Sequence, residues 1–426
     1  MRKPSKLDPK AIFIAAALIL FLIPGVSAIY SGVNHAIGRI SNPVNMTHKV
    51  VFAEEYPFKG PVADTKTIIN RSLPDKYLYL AYRLTAYIDN YSGKNSVIAP
   101  CYFDVYGRIT KIIGKEYFED AEESVIRLAN GYLSYAYPDS KQSVKYRGVL
   151  EFNEWLTEKD IPFLIILPAD KSDDRYAVYP KGFPKGYSDF EREYLRFLDD
   201  NRISYLNSRE ILVAENEDFY SWFYKSDHHW NVHAGFSVAS ATADRLKKEY
   251  DLFVDTDILN IADFDNVTYK NAFLGSQGKK VTHVYATPEN FDVYYPRFDT
   301  AFSLEIPDYK LIKTGSFEKA LIDIESLDST NYYIGYAYAA FLYYDRPLIR
   351  IHNLNCKNGT RALMIKTSDA DVVDTYLALT VEYLDIIDPR YFDGSIRTFI
   401  EKTHPDVVLT CAYPSDALDD KMRDIR

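Results

Sequence analysis

Residues 226–233, "SDHHWNVH", gather three of the chain's eight histidines beside an aspartate and one of only three tryptophans. Asp227 and His229 are separated by one residue, a spacing at which a turn can bring the carboxylate onto Nδ1 of the imidazole. That fixes the tautomer and leaves Nε2 free to take a proton, the role of a general base. The same letters admit two other readings. His229 and His233, four apart, share a helical face and with Asp227 or His228 could hold a metal. No glutamate follows the first histidine as in HExxH and no later His or Cys cluster supplies a further ligand, so no metal is expected. Alternatively Ser226 or Asp227 caps the following helix, with Trp230 and Phe236 in the core and the histidines at the surface.

A base needs a nucleophile to act on. In "ALMIKTSDADVV", Ser368 stands directly beyond a predicted strand and opens a helix. Open α/β sheets place their ligands at the carboxyl ends of parallel strands, and a helix N-terminus offers N–H groups to a developing oxyanion. A serine hydroxyl is a weak nucleophile until a base removes its proton, and His229 is the best base on offer. Taken locally, Ser368 also reads as a plain N-cap. "IIDPRYFDG" closes the next predicted strand, so Arg390 is expected on the same edge of the sheet. There it donates either to a substrate carbonyl or oxyanion or to a surface carboxylate.

The elements that must position these residues follow from the apolar pattern. Helices are predicted in "VKYRGVLEFNEWLTEKD", "DFEREYLRFLDDN", "AGFSVASATADRLKKEY", "SDADVVDTYLALT" and "GSIRTFIEKTH", where apolar residues recur at helical spacing. Between them stand the short apolar runs "IPFLIILPAD", "ISYLNS", "RALMIK", "VEYLDIID" and "PDVVLTCAY", read as strands buried on both faces. This alternation predicts a parallel sheet flanked by helices. The domain spans residues 146–415, with an irregular insert at about 250–306, after an extension of mixed structure at 31–145. "FLGSQGKK" in the insert lacks the GxxxxGK[ST] spacing of a phosphate loop and reads as a tight turn.

Composition bounds the function. The formal net charge is -10, which argues against nucleic acid as a partner, because phosphate binding needs clustered cations. Tyrosine is unusually frequent at 37 copies and offers flat faces suited to sugar rings as well as to cores. Cys101, Cys356 and Cys411 show no CxxC spacing, which speaks against a thiolate zinc site but permits one disulfide. Arg2, Lys3, Lys6 and Lys10 precede a run without Asp, Glu, Lys or Arg from Ala11 to Gly38. Residues 1–30 are therefore expected to be a signal peptide or a membrane anchor, with the remainder outside the cytoplasmic membrane.

In order along the chain, "IILPADKSDDRYAVYP", "SDHHW", "FLGSQGKK", "YYPRFDT", "IKTS" and "DPRYF" resemble the DHHW proteins of Gram-positive bacteria and, more distantly, periplasmic alginate O-acetyltransferases. The resemblance covers about residues 125–415. It implies an SGNH-hydrolase-like α/β domain in which the Asp-x-His pair precedes the serine. Asp227 carries over as the orienting acid, His229 as the base, Ser368 as the nucleophile and Arg390 as a residue near the oxyanion or acyl group. The implied activity is serine-dependent O-acyl transfer or ester hydrolysis on cell-surface polysaccharide through an acyl-enzyme. No cofactor is implied, and a membrane-bound O-acyltransferase is the implied source of the acyl group. Many relatives carry "DSF" where this chain has Thr367-Ser368-Asp369, so a carboxyl group is expected beside the developing oxyanion. The alternatives are a glycan-binding or scaffold protein that kept the fold without the chemistry, and a metal-dependent deacetylase in which His229 and His233 converge with a carboxylate.

Overall fold

The computed structural model describes residues 99–120, 123–135, 146–181, 183, 187–327, 335–413 and 416–422. The expected signal or anchor at 1–30 and most of the extension at 31–145 lie outside the described residues. No helix among the described residues is long and apolar enough to cross a membrane. Cys356 and Cys411 are free thiols.

The chain divides into two units, one formed by residues up to Ser124 with Val281–Tyr285, the other by Val125–Lys280 and Ala286 onward. The first contains helix α1 (Ala99–Ile112) and the two-residue strand β1 (Tyr117–Phe118).

The second unit opens with the antiparallel pair β2 (Val125–Arg127) and β3 (Leu133–Tyr135). There follow α2 (Arg147–Thr157), β4 (Phe163–Leu167), α3 (Tyr187–Asp200), β5 (Tyr205–Asn207), α4 (Ser208–Glu215) and α5 (Val232–Glu249). Next come β6 (Phe264–Phe273), α6 (Ser276–Val281), β7 (Glu289–Pro296), β8 (Phe302–Ile306), β9 (Leu311–Gly315) and α7 (Phe317–Leu321). The chain continues through β10 (Leu348–Asn353), β11 (Arg361–Lys366), α8 (Ala370–Leu377), β12 (Tyr383–Ile387), α9 (Ile396–Thr403), β13 (Val407–Cys411) and α10 (Asp416–Met422). An eight-stranded sheet in the order β5-β4-β13-β11-β12-β10-β8-β9 forms the centre. Strands β5 to β12 in that order are parallel, and β10, β8 and β9 continue it antiparallel.

Side chains alternate across a strand, and here both sides are apolar in the parallel half. Leu164 and Ile166 of β4, Met364 of β11 and Leu409 of β13 point into one core with Val238, Ala239 and Ala243 of α5 and Val373 of α8. Their neighbours Phe163, Ile165, Ile365 and Val408 point into another with Phe152 of α2, Leu198 of α3, Ile400 of α9 and Leu418 of α10. Helices thus cover both faces, as the strand runs predicted.

Two expectations change. The sheet is mostly rather than wholly parallel: β8 and β10, whose residues alternate between buried and less buried, extend it antiparallel with one face in the core. The stretch at about 250–306 is less irregular than its sequence. It holds the long ribbon β6–β7, with Phe273, Phe291 and Val293 in the core, and β8, which belongs to the main sheet. A register shift between Tyr269 and Phe273 interrupts the period of two that would have announced β6.

Candidate active site

Lys171, Ser368 and Arg390 lie just past the carboxyl ends of β4, β11 and β12, on one edge of the parallel sheet. Asp227 and His229 reach that edge from the loop before α5. Phe223 and Trp230 bridge across its neck, and Asn231 N–H bonds Trp222 O at 2.9 Å. Inside the loop the buried Lys171 ammonium donates to Tyr224 O at 3.0 Å and to Asp227 O. Ser226 anchors the outside, its N–H and hydroxyl both donating to Glu289 Oε1, at 2.7 and 2.5 Å. The helix cap is Asn231, whose side chain accepts from Ala234 N–H, rather than Ser226 or Asp227. Asp227 is thereby free to face inward.

The Asp227 carboxylate is fully buried and fully engaged. Its Oδ1 accepts from His229 Nδ1 at 2.5 Å and from His229 N–H at 3.0 Å. Its Oδ2 accepts from Ser276 N–H at 2.6 Å and from the Tyr336 hydroxyl at 3.0 Å. Burial opposes its charge, but the neighbouring imidazoles and these hydrogen bonds hold Asp227 well below the usual carboxylate range. For His229, burial works to lower the pKa, and Asp227 outweighs it, so the net displacement is upward. Because Asp227 is ionised and can only accept, Nδ1 carries the proton. Nε2 is then the imidazole's acceptor, buried and without a hydrogen-bond partner among the described residues. Tyr338 stacks on the ring at 4.0 Å with 14° between planes and fixes its tilt.

The Ser368 turn is pinned beside this pair. Trp230, next to His229, donates its indole N–H to Asp369 O at 2.8 Å, and Thr367 N–H bonds Cys411 O at 3.1 Å. Ser368 O accepts from Asp371 N–H at 3.2 Å and so starts α8. Burial pushes the Asp369 carboxyl up, against the influence of His229, which favours its charge. Beneath the turn, the Lys366 ammonium is enclosed between Asp345, at 2.9 Å, and Asp371. Arg390 makes a two-pronged pair with Asp388, Nε to Oδ1 at 2.9 Å and Nη2 to Oδ2 at 2.6 Å, and reaches Asp345 Oδ2 at 2.8 Å.

The other two histidines take different roles. His228 Nδ1 lies 3.1 Å from Ser276 Oγ, and burial followed by the neighbouring His229 pushes its pKa down to about 3. His233 bonds the Tyr294 hydroxyl and places Nε2 3.5 Å from Asp292 Oδ2, so it does not converge with His229. Potential ligand atoms of Asp227, His228 and His229 come within 4.8 Å of one another. The hydrogen bonds above already occupy both Asp227 oxygens.

One segment read differently in the sequence, and other residues not singled out there, also contribute. "FLGSQGKK" is more than a tight turn: it forms the short helix α6, and its leading residues form a wall against the Asp227 loop, with Gly275 N–H on Ser226 Oγ at 3.1 Å and Gly278 N–H on Ser226 O at 2.7 Å. A Cβ on Gly275 would stand 2.2 Å from that of Asp227, which explains the glycine. Lys171, in "PADKS", carried a signal as a lysine just past an apolar strand. Tyr336 and Tyr338 carried none, being two tyrosines among 37.

No family model matches the chain, and no curated protein matches it. Solved structures do. The chain is similar to Bacillus cereus PatB1, at 19% identity and a TM-score of 0.56, over 71% of this chain and 99% of that one. It is also similar to a DHHW family protein from Eubacterium siraeum, at 16% identity and a TM-score of 0.50, over 72% and 97% of the two chains. The resemblance read from the motifs is thus matched in fold.

Proposed function

We propose that this protein is a serine-dependent O-acyltransferase or esterase that works on glycan hydroxyls through an acyl-enzyme. The observation that carries the reading is the state of His229. Its Nδ1 is locked by an ionised Asp227, and its Nε2 is a buried acceptor with no partner among the described residues, in a loop hydrogen-bonded to the residue after Ser368.

In the proposed reaction, Ser368 Oγ attacks the acyl carbonyl carbon while its proton passes to His229 Nε2. The tetrahedral adduct expels the donor's alkoxide, which leaves with that proton, and the acyl group stays on Oγ as an ester. An acceptor hydroxyl then attacks the ester and gives its proton to Nε2; as the adduct collapses, that proton returns to Ser368 Oγ. A sugar as acceptor makes the protein a transferase, and water makes it an esterase. Asp227 keeps the imidazole in the tautomer both steps require. The upward-shifted Asp369 carboxyl is held toward its neutral form, which weakens the repulsion it would exert on the oxyanion. Arg390, with Nε and Nη2 given to carboxylates, acts by fixing Asp345 and the loop after β12.

The setting is proposed from the N-terminus: the basic cluster and uncharged run hold the domain outside the cytoplasmic membrane, where a membrane-bound O-acyltransferase would supply the acyl group. PatB1 has been obtained with a sulfonyl adduct, and the same chemistry tests this chain. A sulfonyl fluoride should modify Ser368, as mapped by mass spectrometry, and Ser368→Ala should abolish both labelling and turnover of an acetyl ester. Modification at another residue, or full turnover by Ser368→Ala, would overturn the proposal.

A further inference from the structure

The turn "FLYYDR", residues 341–346, is built at a cost its packing alone does not explain. Leu342, Tyr343 and Tyr344 are consecutive non-glycine residues with φ of +54°, +63° and +72°, in the left-handed region that L residues rarely adopt. Such strain persists only where the surroundings over-determine it, and here they do. Phe341 and Leu342 are fully buried, Leu342 N–H bonds Leu321 O at 3.0 Å, and Arg346 Nε donates to Tyr343 O at 2.8 Å. Asp345 is tied to both Lys366 and Arg390.

What this frame delivers is one aromatic ring to solvent. Tyr344 is 42% exposed, while the residues on either side of it are buried. Its ring meets that of Tyr336 edge-on, with centroids 6.0 Å apart, and Tyr336 is the residue whose hydroxyl touches Asp227 and lies 3.1 Å from His229 Nδ1. Tyr391, 50% exposed, stands on the loop after β12 with the Arg390 guanidinium 5.3 Å from its centroid. Both rings therefore stand at the rim of the site, held by the same Asp345–Arg390 pair.

We propose that Tyr344 and Tyr391 form an aromatic platform for a pyranose ring of a neutral acceptor glycan, presenting one of its hydroxyls to the Ser368–His229 centre. This rests on the acyl-transfer reading above. The apolar C–H face of a sugar lies on the tyrosine ring, a contact made by the ring and not by its hydroxyl. A neutral ring fits better than a uronate, because the nearby cations Lys366 and Arg390 are already paired with Asp345, Asp371 and Asp388. A sugar carboxylate would add charge among these carboxylates, and the Lys279 ammonium, 4.9 Å from the Tyr336 ring centroid, already donates to Gly335 O at 2.7 Å.

The test uses the full chain and two readouts. Calorimetric binding of cellohexaose, chitohexaose and a hexaguluronate is compared for wild type, Tyr344→Ala, Tyr391→Ala and Tyr344→Phe. In parallel, Ser368 labelling by a sulfonyl fluoride is timed in each. We expect a neutral hexasaccharide to bind, each alanine variant to weaken it roughly three- to tenfold, Tyr344→Phe to bind like wild type, and labelling to be unchanged throughout. The platform is overturned if neither neutral sugar binds wild type, if the uronate binds better, or if the alanine variants bind normally. It is also overturned if labelling falls in step with binding, which would mark Tyr344 as structural. Absence of Ser368 labelling in wild type would instead sink the acyl-enzyme and leave the binding result standing by itself.

Discussion

Gly275→Ala isolates the contact by which the residues leading into α6 hold the Asp227 loop. The new methyl carbon would lie 2.2 Å from Asp227 Cβ, 2.5 Å from its Cα and 2.5 Å from Oδ2, where ordinary contacts begin at 3.4 Å. One of these atoms is main chain, so no rotamer change relieves the clash, and the two segments must part by about 1 Å, a displacement known to cost about 100-fold in rate at a positioned catalytic group. The Ser276 N–H to Asp227 Oδ2 bond, 2.6 Å, is the first to go, and with it part of what keeps Asp227 ionised and aimed at Nδ1. Overpacking of this kind costs about 1–3 kcal/mol, which a domain of this size is expected to survive. The variant should therefore melt only a few degrees early, yet label at Ser368 about 100-fold more slowly, and its His229 pKa, followed by NMR, should fall toward the ordinary value. A folded Gly275→Ala protein with unchanged labelling and an unchanged His229 titration would refute the claim that this wall positions the dyad.

Two further outcomes follow from the charged groups. His229 is held above its ordinary pKa of about 6.5, so its base form appears only at higher pH; labelling of Ser368 should rise with a midpoint above 6.5, and Asp227→Asn should move that midpoint down as well as slowing the rate. By the same shift, protonated His229 contributes stability that is fully present below about pH 6.5 and is lost as pH rises through the folded value, which melting curves across pH 5.5–9 with and without His229→Gln would show. Removing the buried ammonium in Lys366→Met strands the carboxylates Asp345 and Asp371 and should cost about 3–5 kcal/mol in denaturant unfolding. Asp371→Asn should cost clearly less, because burial has already moved that carboxyl up to about 7, and an equal loss in both variants would contradict this.

Reading the sequence forward reached the parallel half of the sheet because each of its strands is a short run buried on both faces, bracketed by helices with one apolar stripe. The Asp227–His229 contact was legible because it is local: residues two apart in a turn meet whatever the rest of the chain does. The antiparallel extension, where β8 and β10 alternate so regularly that they are compatible with a separate hairpin, was missed. The bulged β6 was also mistaken for irregular structure.

The parts of the site that stayed out of sight share a physical cause. Ser276 offers Asp227 a backbone N–H, which every residue but proline possesses, so no letter betrays it. Gly275 is glycine because of atoms 48 residues earlier in the chain, and the left-handed turn at 342–344 is spelled Leu-Tyr-Tyr, with none of the glycines or asparagines that advertise positive φ. Tyr336 becomes distinctive only when its hydroxyl meets a carboxylate 109 residues away. A contiguous motif therefore shows the pair that can do chemistry, whereas the groups that hold that pair in one protonation state, and the rings that stand at its rim, are properties of tertiary contact. It is at these contact residues, rather than within "SDHHW" itself, that substitutions should separate positioning from chemistry.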